Sequence, residues 1–166
     1  MQNEGMQNSL IKNGAVIADD WQLLRDIPET GLPTGKLIVP ATYWLEHRDS
    51  LRARGDVAVW LGSDQAPALI AEDLSALPLV AIDFPIFTDG RGFSYGRTLR
   101  EQYGYQGEVR AIGEFIRDQL HYLSRCGFDA YALTTSDPVA AVASLNDFSD
   151  GYQASINQSQ PHFRRR

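Results

Sequence analysis

The sequence has a single cysteine, Cys126, among its 166 residues. One thiol excludes both an internal disulfide framework and a metal cage built from several thiolates. The chain also has no apolar run approaching the roughly 18 residues that a membrane-spanning helix needs. Residues 1–8 lack the basic segment and apolar core of a signal peptide. These absences predict a cytoplasmic protein without a membrane partner.

The chain is also short of positive charge. Its 15 lysines and arginines are outnumbered by 21 aspartates and glutamates, which gives a net charge of -6. A nucleic-acid partner is not expected, because binding a phosphate backbone requires a broad basic surface. The one basic cluster, Arg164-Arg165-Arg166, closes a polar tail, and chain ends of this kind are usually solvated.

Signatures of the common catalytic and cofactor sites are missing as well. The three histidines, His47, His121 and His162, are far apart and lack the spacing of metal ligands. The sequence contains no dinucleotide fingerprint and no recognisable serine–histidine–aspartate arrangement. We therefore expect no metal and no cofactor, and we assign no catalytic residue.

What the sequence does contain is a regular alternation of strands and helices. Apolar runs predict strands that start near residues 57, 79, 108 and 129, at intervals of 22, 29 and 21 residues. Such intervals are typical of βα units, whose right-handed crossovers produce a mostly parallel sheet. An open sheet and part of a barrel fit this pattern equally. The expected fold is a single α/β domain of βα units.

An N-terminal β-hairpin is predicted ahead of these units. Two short apolar segments, residues 10–12 and 15–17, flank Asn13-Gly14, a dipeptide that favours a type I′ turn. The chain is thus expected to divide into a disordered N-terminus over residues 1–9, the α/β domain over residues 10–153 and a polar C-terminal tail over residues 154–166.

Helices are predicted between the strands, over residues 42–54, 67–76, 98–103, 115–125 and 138–148. Gly55 is placed to end the first of them, and Pro67 suits the first turn of the second. Cys126 follows the fourth helix, where the helix dipole does not favour a thiolate. We therefore expect a buried, unreactive thiol there.

The segment between the strand at residue 79 and the helix at residue 98 is the strongest candidate for a ligand site. Parallel strands gather their carboxyl ends at one edge of the sheet, where α/β proteins bind ligands. Ser63, Asp64, Thr134 and Thr135 are expected at the same edge. The candidate ligand-binding residues are Asp83, Thr88, Asp89, Gly90, Arg91, Gly92, Ser94, Arg97, Glu114 and Arg117.

The chemistry of these residues suits a small oxyanion. The backbone amides of Gly90 and Gly92 open a helix, with Ser94 as its cap, and such amides bind anions. Arg91 and Arg97 would add positive charge. The site is therefore predicted to bind an anion such as sulfite, sulfate or phosphate.

Two features of this site have structural alternatives. Glu114 and Arg117 lie at the start of the helix at residue 115, where an acid stabilises the helix dipole and the arginine could complete a pair that recognises oxyanions. The segment Asp89-Gly90 could equally be a tight turn. In that case the arginines would pair with Asp83 or Glu101.

Several segments together resemble a known bacterial family. They are residues 84–94, 107–113, 116–120 and 125–130, with residues 11–14 and 19–21 near the start and Phe148 and Tyr152-Gln153 near the end. Members of that family are labelled as oxidoreductases of sulfite reduction, and their genes commonly neighbour that of the sulfite or nitrite reductase hemoprotein. The resemblance implies a role in assimilatory sulfur metabolism with that hemoprotein as partner. It carries over no catalytic residue.

Three functional hypotheses follow. The first is an accessory protein that binds the sulfite reductase hemoprotein and aids its assembly or electron supply. The second is an enzyme or small-anion binder with its site between Asp83 and Arg97. The third is a homo-oligomer with exposed aromatic residues, Tyr95, Tyr103 and Tyr105, at its interface.

Overall fold

The structure is a computed structural model that describes residues 9–86, 89–115 and 117–132, and for Ser9 and Arg117 it describes the backbone alone. Several predictions lie outside the described residues. They are the disorder predicted for residues 1–8, the helix predicted over residues 138–148, the predicted end of the domain at residue 153 and the polar tail. The predicted positions of Thr88, Thr134 and Thr135 also lie outside these ranges.

The described residues contain strands and short helices in alternation. The strands are β1 (Ser9–Lys12), β2 (Ala15–Ala18), β3 (Trp21–Leu23), β4 (Lys36–Pro40), β5 (Val57–Leu61), β6 (Leu79–Phe84), β7 (Glu108–Gly113) and β8 (Ala130–Tyr131). The α-helices are α1 (Ala41–Glu46), α2 (Arg48–Arg54), α3 (Arg91–Arg97) and α4 (Leu120–Arg125). Further turns are the 3-10 helices Pro67–Ala76 and Arg117–Gln119 and the π-helical turn Thr98–Gln102. No helix in these ranges is long and apolar enough to cross a bilayer.

All eight strands belong to one sheet, in the order β2-β1-β8-β7-β6-β5-β4-β3. From β3 to β8 the strands are parallel and follow one another in chain order, whereas β1 is antiparallel to both of its neighbours. Asn13 and Gly14 connect β1 to β2 with positive φ angles of 54° and 82°, as a type I′ turn requires. The predicted mixed fold, mostly parallel sheet and N-terminal hairpin are confirmed.

The sheet is curled into a half-barrel, because its two edge strands are consecutive in the chain. β2 lies at one edge and β3 at the other, yet only Asp19 and Asp20 separate them. Seven strand spacings would place the edges of a flat sheet about 34 Å apart. The three peptide units from Ala18 to Trp21 span at most about 11 Å. The sheet must therefore bend until its edges approach each other at this link, which favours the predicted part-barrel over the open sheet.

The convex face of the sheet carries the main hydrophobic core. Alternate strand residues such as Val59, Ile82 and Ala111 are fully buried there. Trp44 of α1 and Leu120 of α4 are also fully buried in this cluster. Because strand side chains alternate between faces, the residues between them point to the opposite, concave face.

The concave face combines apolar and charged side chains. Its apolar members are Ile38, Ala58, Leu79, Ala81 and Ile112. Arg110 stands among them with an exposed fraction of 2%. It donates Nη1 to both carboxylate oxygens of Asp19 at 3.1 Å and Nε to Glu108 at 2.7 Å. Lys12 adds a second cation, 2.9 Å from Glu108. The buried guanidinium is therefore held by two carboxylates.

Two of the ion pairs on this face join distant strands. Asp19 lies in the link between β2 and β3, whereas its partner Arg110 lies on β7. In the sheet, β1 and β8 separate β7 from β2, and β4, β5 and β6 separate it from β3. Arg25, two residues after β3, bonds Asp83 of β6 at 2.9 Å. A flat sheet would hold these side chains too far apart to touch. The pairs thus tie the β3 end of the curled sheet to its middle strands.

The helices differ from prediction at their ends. The helix predicted over residues 42–54 is divided at His47, where φ is −127° and ψ is 32°, and Gly55 ends the second part with a left-handed conformation as predicted. Pro67 begins its helix as predicted. The helix predicted over residues 115–125 starts later, with a 3-10 turn ahead of α4.

Among the described helices, one carboxylate is buried. Asp73, in the 3-10 helix Pro67–Ala76, is 1% exposed and lies 2.9 Å from Nε of Arg48 in α2. Arg52 lies 3.7 Å from the same oxygen. The Arg48 contact is an ion pair without the alignment of a hydrogen bond. It joins α2 to the 3-10 helix Pro67–Ala76.

The expectation that Tyr105 is exposed is wrong. Tyr105 is 7% exposed, and its hydroxyl donates to the carbonyl oxygen of Leu77 at 2.7 Å. Tyr95 and Tyr103 are half-buried against the main core. The local pattern of the sequence did not indicate this burial, because it depends on the loop that Arg100 holds through the carbonyls of Tyr105 and Gly107.

We expect the protein to lose stability at alkaline pH. Burial raises the pKa of Tyr105, Tyr131 and Cys126 above the usual values of these groups. The unfolded chain therefore releases these protons at a lower pH than the folded chain, and the free energy of unfolding falls as the pH rises above about 10. Urea unfolding from about pH 8 to about pH 11, a range that includes the usual tyrosine pKa of about 10, measures this fall.

Tyr131→Phe removes one of the three groups and should make the free energy of unfolding fall less steeply with pH. Tyr43→Phe, which changes a partly buried tyrosine of α1 that contacts His47 and none of the three groups, is the matched control and should leave the slope near that of the parent. Equal slopes for Tyr131→Phe and the parent would contradict the assignment of Tyr131 to this effect.

Candidate functional site

The loop that follows β6 is closed by contacts of Asp89 and Arg91. The Asp89 amide donates to the carbonyl oxygen of Ile86 at 3.0 Å. The Asp89 carboxylate accepts from the Arg91 amide at 3.1 Å, from Nε at 3.1 Å and from Nη2 at 2.8 Å. Nη2 of Arg91 also donates to Oγ of Ser63, at 3.0 Å, in the loop after β5. The loops after two adjacent parallel strands are thereby joined at their carboxyl ends.

The contact between Asp89 and Arg91 favours the charged form of both side chains. Hydrogen bonds from Arg91 hold the pKa of the Asp89 carboxyl far below its usual range. The hydrogen bonds to Asp89 in turn raise the pKa of the Arg91 guanidinium. Both groups are therefore ionised at neutral pH, and the positive charge of Arg91 is balanced by a carboxylate of the same loop.

The helix after this loop begins at Arg91, earlier than the predicted start at residue 98. Its glycines are buried packing positions: a Cβ atom at Gly92 would lie 2.7 Å from the ring of Phe84, and one at Gly96 would lie 2.5 Å from the ring of Phe128. The close approach of α3 to the sheet requires glycine at both positions. A composition that is typical of a loop therefore serves helix packing here.

Two side chains of α3 have roles that differ from prediction. Ser94 does not cap the helix, because its hydroxyl donates to the carbonyl oxygen of Arg91 at 2.9 Å and Gly90 occupies the capping position. The hydroxyl of Tyr95 donates to the carbonyl oxygen of Ser63 at 2.6 Å. Tyr95 therefore adds a second link between α3 and the loop after β5.

Asp83 belongs to a different group of side chains, on the concave face. Its carboxylate accepts from Nη2 of Arg25 at 2.9 Å, and the Arg25 guanidinium lies 4.9 Å from the ring centroid of Trp60. Nε1 of Trp60 donates to the carbonyl oxygen of Leu24 at 3.0 Å. The described contacts do not join this Arg25–Asp83–Trp60 group to the pair of Asp89 and Arg91.

The remaining predicted residues are dispersed. Arg97 lies 3.7 Å from Glu101, one helical turn further on. Glu114 is exposed, and its amide bonds the carbonyl oxygen of Phe84. Arg117 is described by its backbone alone, in a 3-10 turn. The structure therefore brings together Asp89, Gly90, Arg91 and Ser94, joined to Ser63, and does not add Asp83 or Arg97 to them.

Sequence reasoning missed Arg25 and Trp60. Trp60 lies on a predicted strand, but the pattern gave no sign that its ring would accept a cation on the concave face. Arg25 follows β3, a strand of three residues that was not predicted. Its partner Asp83 is 58 residues away in the chain, and only the curl of the sheet brings the two together.

Comparison with known protein families assigns the chain to one of them. A family described as "Bacterial protein of unknown function (DUF934)" matches residues 58–163. The chain belongs to this family. The matched segment begins in β5, so it contains Asp83, Asp89 and Arg91 but neither Asp19 nor Arg25. No match was found among curated proteins or among solved structures.

The described residues of this DUF934 member contain no group of three or more histidine, cysteine or acidic side chains that could hold a metal ion. Cys126 is fully buried, and burial raises the pKa of its thiol. The prediction that this cysteine is buried is confirmed, and the raised pKa disfavours its thiolate. The loop after β6 presents its side chains beside the contacts of Asp89 and Arg91.

An NMR titration of the DUF934 member would test this frame. We expect the Asp89 carboxyl to titrate well below the usual aspartate pKa of about 3.9, because Arg91 stabilises the carboxylate. Arg91→Ala should return the pKa of Asp89 towards that value, whereas Arg97→Ala should leave it unchanged. A parent Asp89 that titrates near the usual value would show that the contact with Arg91 is not formed in solution.

Proposed function

We propose that this protein is an accessory protein of assimilatory sulfite reduction, which binds the sulfite reductase hemoprotein and aids its assembly or its electron supply. The resemblance carried by residues 84–94 and 107–113 motivates both the pathway and the partner. The observation from the structure that supports a binding role is the exposure of Ile86, in the loop after β6.

Ile86 is suited to be the centre of a protein interface. It is 58% exposed, the most of any large hydrophobic side chain in the described residues. Its carbonyl oxygen accepts the Asp89 amide, and Asp89 is itself bonded by Arg91. Interfaces commonly combine an apolar anchor with a polar rim, and groups that are already held by hydrogen bonds lose less entropy on binding.

The charge of the chain supports a basic partner surface. The net charge is -6, and complementary charge increases the rate of association and the selection of partners more than it increases affinity. We therefore expect complex formation to weaken as salt is added, without being lost.

The alternative function, a small-anion binder or enzyme at the same edge, has less support. The three arginines described around this edge each have a carboxylate partner, Asp83 for Arg25, Asp89 for Arg91 and Glu101 for Arg97. An incoming oxyanion would have to compete with these carboxylates, and the like charges would repel it.

Ile86→Asp should weaken binding to the hemoprotein of the same organism by about tenfold or more, because it places a charge at the centre of the contact. Leu69→Asp, at a side chain that is 40% exposed on the 3-10 helix Pro67–Ala76, is the matched control and should bind as the parent does. Biolayer interferometry with the purified proteins at low and physiological salt measures both affinities.

Binding of the parent protein to the hemoprotein tests the proposal as a whole. No association at low salt, with both proteins folded, would contradict the accessory function. Association that Ile86→Asp and Leu69→Asp weaken equally would retain the accessory function and remove Ile86 as its anchor.

Calorimetric titration with sulfite, sulfate and phosphate tests the alternative. Because the positive charge of Arg91 is already balanced, we expect no saturable binding to the parent. Saturable binding that Arg91→Ala abolishes and Arg91→Lys partly retains would favour the anion site instead.

A further inference from the structure

The outer strand of the N-terminal hairpin is unusually accessible. All four residues of β2, Ala15–Ala18, are exposed, including Val16 at 40% and Ile17 at 41%. β2 pairs with β1 along one side, and within the described residues no strand pairs with its other side. Its outer edge therefore presents unpaired backbone groups beside apolar side chains.

This edge lacks the devices that usually prevent strand addition. Proteins protect sheet edges with charged side chains, proline or bulges, and β2 contains none of these over its four residues. The other edge strand differs, since the ring of Trp21 on β3 is covered by Lys36 at 5.7 Å. The outer edge of β2 is thus a surface on which another strand could pair.

The register of the hairpin identifies the free backbone groups. A two-residue turn makes Lys12 and Ala15 a hydrogen-bonded pair, and such pairs alternate with non-hydrogen-bonded pairs along an antiparallel ladder. Val16 and Ala18 therefore direct their N–H and C=O groups away from β1. These groups would form the ladder with an added strand.

We propose that the added strand is β2 of a second copy, in antiparallel orientation, so that the protein forms a two-fold symmetric dimer. A two-fold axis through facing Val16 residues pairs Ala15 of each copy with Ile17 of the other, which is the self-complementarity that such interfaces require. The pair joins the two curled sheets through their hairpins.

The charges next to β2 select the second copy in this orientation. Asp19 and Asp20 follow the strand, and antiparallel pairing places them beside the uncharged Asn13-Gly14 turn of the partner copy. Parallel pairing would set the acids of both copies side by side, where like charges repel. The three uncharged residues Ala15, Val16 and Ile17 of each copy then face one another without a buried charge.

The proposed dimer is independent of the binding function proposed for the loop after β6. Its interface lies on the hairpin, whereas Ile86 lies at the carboxyl end of β6. A single strand pair buries little area, so we expect a weak dimer, with a dissociation constant on the order of 10 µM.

Sedimentation velocity of the full chain tests the proposal. Protein concentrations from about 1 to about 200 µM cover the expected dissociation constant. The parent should shift with concentration from the 18.5 kDa monomer to twice that mass. Ile17→Lys should raise the dissociation constant about tenfold or more, because it places two lysines in or beside the strand pair. Leu69→Lys, with the same exposed fraction as Val16, is the matched control and should dimerise as the parent does.

Amide hydrogen exchange of the parent gives a second readout. The amides of Val16 and Ala18 should become more protected as the concentration rises, whereas the amide of Ile86, which lies outside the hairpin, should not. A parent that stays monomeric over the whole range, or an Ile17→Lys variant that dimerises as well as Leu69→Lys, would overturn the proposal.

Discussion

The short connection between β2 and β3 is the constraint on which the rest of the structure depends. It obliges the two edges of an eight-stranded sheet to approach each other, so the sheet must curl. Curling creates a concave face on which charged side chains from distant parts of the sheet meet. Arg110 fills part of it, and its burial is tolerated because Asp19, from the connection itself, and Glu108 satisfy its charge.

The same curl determines what the carboxyl edge can do. Arg25 reaches Asp83 across the concave face, and Arg91 is held by Asp89 in the loop after β6. These two arginines, which would otherwise be available to an anion, are thereby paired with carboxylates of the fold. Among the described residues, this edge also presents an exposed apolar side chain, Ile86, whose carbonyl oxygen accepts the Asp89 amide, and this is why we favour a protein partner over a small ligand.

Sequence reasoning predicted the features that depend on local pattern. The strands from β5 to β8 follow from apolar runs at regular intervals, and the hairpin follows from Asn13-Gly14. β3 was missed because three residues are too few to show a periodic pattern. The start of α3 was missed because glycines selected for close packing against Phe84 and Phe128 have the composition of a loop. The pair of Asp19 and Arg110, 91 residues apart, leaves no local trace.

A double-mutant cycle between Asp19 and Arg110 tests most directly whether this pair holds the curled sheet. It compares the free energies of urea unfolding of the parent, Asp19→Asn, Arg110→Met and the double variant. We predict a coupling energy of about 2 kcal/mol or more, because Asp19→Asn leaves the buried Arg110 with Glu108 as its single carboxylate and Arg110→Met leaves Asp19 without its cation. The exposed pair of Lys36 and Asp20 should give at most about 1 kcal/mol in the same experiment. A coupling between Asp19 and Arg110 as small as that of the exposed pair would contradict the account.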